Sequence, residues 1–208
     1  MDWTIPMMIP STSQIVRLKP FLNKHHEHVI KYEATKDYIG LVQYFKELLQ
    51  HLCVEQLDMN KLPVIDQVLL LLRLRTVCIG PSCVLMIPEE KTSDDTESTA
   101  EGEKSAEPSE KSYNVSLVDM QRDIMSNYIQ PIQIGDPHEI TVTVHYPNCW
   151  TKPSTSDYVK SITINNKTID KNNLTEQEFN MLIDELPADI INKVNRSIDK
   201  YKDNIRSR

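Results

Sequence analysis

The sequence predicts an α+β protein, with a helical N-terminal part, a small mostly antiparallel sheet, two C-terminal helices and a disordered acidic insert. Three observations carry that prediction. Apolar residues recur at helical spacing from Leu41 to Leu74 and again from Phe179 to Tyr201. Residues 140–146 alternate strictly between apolar and polar, as a half-buried strand requires. Residues 89–112 contain no aromatic, leucine or β-branched aliphatic side chain, so they cannot bury enough apolar surface to offset the entropy of ordering. The expected organisation is therefore a mainly helical part over 1–88, an acidic linker over 89–112, and strands followed by two helices over 113–208.

The elements follow in order. The first residues read as an irregular arm rich in proline and serine, then Gln14–Leu18 as a short strand stopped by Pro20. A helix starts near Asn23. Asp37 can cap a second, whose Leu41, Phe45, Leu48, Leu49 and Leu52 share one face. Val68–Leu72, Leu74 and their neighbours are apolar on all sides of a third helix, which argues for burial, and Gly80-Pro81 ends it. Cys83–Ile87 is short and apolar enough for a strand. Past the linker, Val115, Leu117, Ile129, Ile132 and Ile134 read as β-like, and Ile162-Thr163-Ile164 as another strand. Thr175-Glu176-Gln177-Glu178 is a capping box opening a helix with Phe179, Leu182, Ile183 and Leu186 on one face. Pro187 interrupts, and Ile190, Ile191, Val194, Ile198 and Tyr201 mark the last helix.

Composition excludes several classes of function. The chain has 208 residues, 39% of them hydrophobic, and a net charge of −7. Residues 1–88 carry +1, residues 89–112 carry −6 and residues 113–208 carry −2. Neither half has the concentrated basic face that a phosphate backbone demands, so nucleic acid is not an expected partner. The 4 glycines lie far apart, which excludes a phosphate-cradling loop or a dinucleotide fingerprint. The start lacks a basic region and is broken by Pro6 and Pro10, unlike a signal peptide, and no apolar run approaches the ~20 residues that cross a bilayer. Cys53, Cys78, Cys83 and Cys149 are expected to be reduced thiols, and Cys78 and Cys83 have neither the spacing of a redox pair nor a second pair to complete a zinc knuckle.

Few residues suggest chemistry. His25-His26-Glu27-His28 could ligate zinc, but two histidines four apart with a glutamate after the first are missing, and a polar helix face is the ordinary reading. His138 and His145 flank a strand on opposite faces. Asp184-Glu185 lies on the polar side of a capped helix, and no serine elbow occurs. Tyr146-Pro147-Asn148-Cys149-Trp150 follows the best strand and reads equally as a contact rim or a buried strand end. These residues support no catalytic claim and no cofactor.

The segment Lys61–Gly80 resembles the signature of the T4-type bacteriophage base plate protein family, which includes baseplate hub subunits and hub-assembly proteins. The matching positions are Pro63, Ile65-Asp66, Leu74-Arg75 and Gly80, followed after a variable insert by a strand ending in Tyr146-Pro147. The likeness spans residues 15–150. The chain departs from the pattern at Ile65, where phenylalanine is common, and in carrying the acidic linker where some relatives have a cysteine-rich insert; no zinc is expected. The resemblance implies a non-enzymatic baseplate hub assembly protein, either chaperone-like or a minor hub subunit. It would act on other phage baseplate hub or tail proteins in the host cytoplasm, with the virion tail baseplate as a further location. Asp66 is expected to cap the buried helix, Arg75 to pair with a carboxylate or reach water, and Gly80 to end the helix at positive φ. The competing reading is a small metal-binding protein or enzyme built on His25, His26 and His28.

Overall fold

The computed structural model describes residues 3–88, 110–135 and 139–206, and its architecture is the α+β arrangement that the sequence predicts. The N-terminal arm is not irregular. Strand β1 (Ile5–Ile9) pairs antiparallel with β2 (Gln14–Leu18) in the register Ile5↔Leu18 to Ile9↔Gln14. Ile5, Met7 and Ile9 alternate inward, while Pro6 points out on a two-stranded ribbon that needs no amide there.

Three helices cover this hairpin. They are α1 (Asn23–Thr35), α2 (Tyr38–Leu52) and α3 (Val64–Cys78). Asp37 caps α2 by accepting the Gly40 amide at 2.9 Å, and Lys36 in the left-handed region (φ 54°) makes the sharp turn out of α1. Leu48, Leu49 and Leu52 meet Leu69, Leu70 and Leu74 over Ile9, Val16 and Leu18, all nearly inaccessible. Each such side chain contributes about 1.5–3 kcal/mol on burial.

Helix α4 (Leu117–Ser126) replaces the strand expected around Leu117. Ser116 caps it by accepting the Asp119 amide at 3.2 Å, and Leu117, Gln121 and Ile124 turn inward. Ile124 joins the same core as α2 and α3, so α4 cuts across the expected division into 1–88 and 113–208. Between α3 and α4 the chain forms a ribbon of β3 (Ser82–Pro88) and β4 (Glu110–Ser116), paired from Ser82↔Ser116 to Pro88↔Glu110. Residues 110–112 of the expected linker thus belong to a strand, because they pair with Met86–Pro88; residues 89–109 lie outside the described residues.

The second core is built on an antiparallel meander of β5 (Ile132–Gly135), β6 (Ile140–Val144), β7 (Val159–Ile164) and β8 (Lys167–Asp170), in sequential order. Helices α5 (Glu176–Asp184) and α6 (Ala188–Arg206) supply Phe179, Ile183, Val194, Ile198 and Tyr201 against Val142, Val144, Val159 and Ile162. The capping box forms as the sequence requires, with Thr175 Oγ1 accepting the Glu178 amide at 3.3 Å and Glu178 Oε2 accepting the Thr175 amide at 2.9 Å. Buried Tyr201 donates its hydroxyl to the Gln130 and Val144 carbonyls, each at 3.0 Å, and so ties α6 to β6 and to the segment before β5.

Candidate functional site

Helix α3 carries apolar residues around most of its circumference, fully buried on one side and partly buried on the other. Leu69, Leu70 and Leu74 face the core, while Val68, Leu71, Leu72, Arg75 and Ile79 border an open groove of about 440 Å³. Phe21, Val29 and Phe45 line the groove from α1, α2 and the segment before α1; His26, Glu33 and Arg75 supply its polar groups. The remaining wall is Trp150, which arrives from the distant segment after β6.

Gln67 fixes that wall. It is fully buried in the first turns of α3, and its Nε2 donates to the Met59 and Leu62 carbonyls at 2.8 Å each. Its Oε1 accepts the Trp150 indole N–H at 2.9 Å. The Val64 amide donates to the Pro147 carbonyl at 2.8 Å, a second tie between the two cores. The Tyr146–Trp150 segment thus divides its roles. Tyr146 is buried, with its ring 4.7 Å from Tyr201 and 5.1 Å from Tyr128, and its hydroxyl accepts the Ile129 amide at 3.3 Å. Pro147 is also buried, whereas Trp150 is half-exposed at the groove.

The other positions of the family-like signature surround the start and end of α3. Pro63, buried, occupies the N-cap and accepts the Asp66 and Gln67 amides through its carbonyl. Asp66 is therefore not the cap expected from sequence. It sits in the first turn, fully buried, with the Ser11 and Tyr128 groups facing its carboxylate. Burial pushes its pKa up to about 6, with Ser11 and Tyr128 nearby drawing it partly back. Arg75 donates from Nη1 to the Gly80 carbonyl at 3.4 Å and meets no carboxylate among the described residues, and the Gly80 amide donates back to the Arg75 carbonyl at 3.1 Å. Gly80 follows the helix at φ 156°, a positive-φ conformation that L side chains rarely adopt. A smaller cavity of about 100 Å³ lies where the cores meet, bordered by Ser11, Lys61, Tyr128, Asn148, Lys171 and buried His145. Burial, with Lys160 and Lys171 adding to it, lowers the His145 pKa to about 4.

The histidines do not converge as a ligand set. His25 accepts the Leu22 amide on Nδ1 at 3.1 Å and packs edge-on against Phe21; His28 stacks on Tyr44 with 5.4 Å between centroids. His26 borders the α3 groove, away from the cleft that holds His25 and His28. His51, which sequence reading passed over, shares that cleft from the last turn of α2 and, behind burial and Lys24, helps keep the His25 pKa low. Among the described residues no group of three or more histidine, cysteine, aspartate or glutamate side chains can hold a metal ion. The four cysteines form no disulfide, and Cys78 Sγ accepts the Phe21 amide at 3.3 Å. His138 lies outside the described residues. Among the described residues no helix is long and apolar enough to cross a membrane.

Comparison with known protein families matches residues 3–205 to the family model described as T4 bacteriophage base plate protein. Comparison with curated proteins and with solved structures gives no match.

Proposed function

The chain belongs to the T4 bacteriophage base plate protein family, and from that premise we propose that it is a hub assembly protein of the phage tail baseplate, chaperone-like or a minor hub subunit. It works by protein–protein contact in the host cytoplasm, with other hub or tail proteins as partners. The observation that supports this most is the outward side of α3. Val68, Leu71 and Leu72 are only partly buried and border a groove, although Leu71 and Leu72 also pack against the core. The groove is also preorganised. Trp150 is held by a partly buried hydrogen bond to Gln67, so a partner meets a fixed aromatic wall, the side-chain type that dominates interface energetics.

Affinity capture from infected cells tests the reading. The tagged wild-type chain should recover baseplate or tail proteins, and Leu72→Lys, which places a charge in the groove, should recover them poorly. Recovery of no tail protein would overturn the proposal. Mass spectrometry of purified virions beside infected-cell lysate then separates the two roles, since a minor subunit appears in both and a chaperone only in lysate.

A further inference from the structure

We propose that a second groove, between Trp3, the Lys19–Leu22 segment and the end of α2, docks a short acidic segment of another tail polypeptide through apolar anchors and carboxylates. The inference rests on the reading above and names the chemistry of one partner.

This groove encloses about 720 Å³, and of the residues beside the α3 groove it shares Phe21 alone. Backbone ties fix its walls. The Lys19 amide donates to the Leu52 carbonyl and the Val54 amide to the Arg17 carbonyl, each at 2.8 Å, and Cys78 Sγ accepts the Phe21 amide at 3.3 Å. The link from β2 to α1 is thereby held against the ends of both α2 and α3. A partner meets a preformed cleft and loses little entropy in ordering it.

The lining is apolar where no part of the fold covers it. Trp3, Leu22, Val54 and Val77 are 46%, 50%, 41% and 40% exposed, and none of the four belongs to either hydrophobic core. Exposed apolar side chains gathered around a concavity mark a contact site, and tryptophan is among the strongest anchors of one.

Charge selects the occupant. Lys19, Lys24, His25 and His51 border the groove, and among the described residues no aspartate or glutamate does. That reverses the balance of the whole chain, which has 30 acidic and 23 basic residues. Lys19 and Lys24 make no ion pair among the described residues. Glu55, beside Val54, is taken up by Arg17 at 2.8 Å; Glu47 borders an adjoining cleft, and Glu27 lines neither. His25 registers the field that results. Burial lowers its pKa first, then Lys24, His51 and His28, with no acidic group raising it. Carboxylates laid over this rim therefore meet two ammonium groups without counterions, while neighbouring apolar side chains enter beside Trp3 and Leu22. A phosphate backbone needs a longer row of cations than two lysines, and a bilayer surface cannot enter a cleft. The complementarity points to a protein segment that mixes acidic and apolar residues.

The full chain is probed with an array of ~15-residue peptides tiling the other tail proteins of the same phage, with Kd values then measured by fluorescence anisotropy. The variants are Trp3→Ala and the double change Lys19→Glu with Lys24→Glu in this groove, Leu72→Lys in the α3 groove, and Met181→Lys at an exposed position of α5, each checked by circular dichroism. We expect the bound peptides to carry net negative charge with apolar residues interspersed. Trp3→Ala and the double variant should each weaken them about tenfold or more, and Met181→Lys should leave them unchanged. Changing the acidic residues of a bound peptide to lysine should reverse its preference between wild type and the double variant. Basic or uncharged bound peptides, binding that survives both changes in this groove, an unreversed preference, or a wild-type dimer that Trp3→Ala abolishes would each overturn the proposal. So would binding to anionic vesicles or to DNA that the double variant removes. Peptides weakened by Leu72→Lys alone would sink this groove and leave the assembly role standing. Binding of no tail peptide would sink it too, and the affinity capture above then decides the broader reading.

Discussion

Trp150 donates its indole N–H to Gln67 Oε1 at 2.9 Å, across 83 residues of sequence and from one core to the other. Gln67 saturates itself in the process, giving both amide hydrogens to the Met59 and Leu62 carbonyls. Replacing it with leucine orphans two carbonyls and the indole N–H. We expect Gln67→Leu to cost about 3 kcal/mol, and Trp150→Phe, which removes one donor, about 1–2 kcal/mol. Urea unfolding of the full chain measures both, and equal losses would refute the shared-anchor role of Gln67.

Asp66 and His145 make opposing demands on pH. The Asp66 carboxyl is raised from 3.8 to about 6, so the folded state keeps a proton that the unfolded state has lost. Its contribution to stability is largest below about pH 4 and declines as pH rises to about 6. His145 is lowered from 6.5 to about 4, so the unfolded state takes up the proton first, and stability is lost as pH falls from about 6.5 to 4. The two slopes have opposite sign over the shared window and nearly cancel. Asp66→Asn should raise stability at pH 7.5 by about 1–3 kcal/mol and expose the His145 loss on acidification. His145→Gln should leave a protein that gains stability as pH falls toward 4. Denaturant midpoints at half-unit pH steps test the pair; a pH profile that neither substitution alters would refute it.

Thr175 is the hinge of the capping box that starts α5, both accepting the Glu178 amide and donating its hydroxyl to the Glu178 carboxylate at 2.7 Å. Thr175→Ala should cost about 1 kcal/mol, and Thr175→Ser should recover most of it. Thermal melts of the two variants decide, because an equal effect of both would point to the lost methyl group instead of the cap.

Gly135 ends β5 at φ 118°, and a Cβ there would collide with the Ile140 carbonyl oxygen across the ladder. Gly135→Ala should therefore lower stability by about 2 kcal/mol or more, from backbone strain and the forced opening of the β5–β6 pair. Amide hydrogen exchange should show faster exchange at Thr141, and an unchanged exchange pattern would count against the clash.

Local physics explains what was legible in the sequence. Asp37 capping α2, the Thr175–Glu178 box, the strict alternation of β6 and the stripe from Ile190 to Tyr201 each need only neighbours within a few residues. What escaped depended on distance or on a misleading residue type. Pro6 and Pro10 disguised β1, although Ile5, Met7 and Ile9 carried its period. Ser116 and Asp119 were a start signal for α4, overlooked because Val115 and Leu117 looked like alternation. The uniform apolarity of α3 suggested complete burial, and only its packing reveals which flank remains open. Nothing near Gln67 or Asp66 announces Trp150 or Tyr128, because those meetings are set by how two cores dock.

The pairing of Pro88 with Glu110 brings the two ends of the acidic stretch side by side. A flexible loop closed at such a ribbon end costs an entropy that grows only logarithmically with its length, about 0.6 kcal/mol for each doubling. The same junction is a natural splice point for an epitope or a fluorescent reporter.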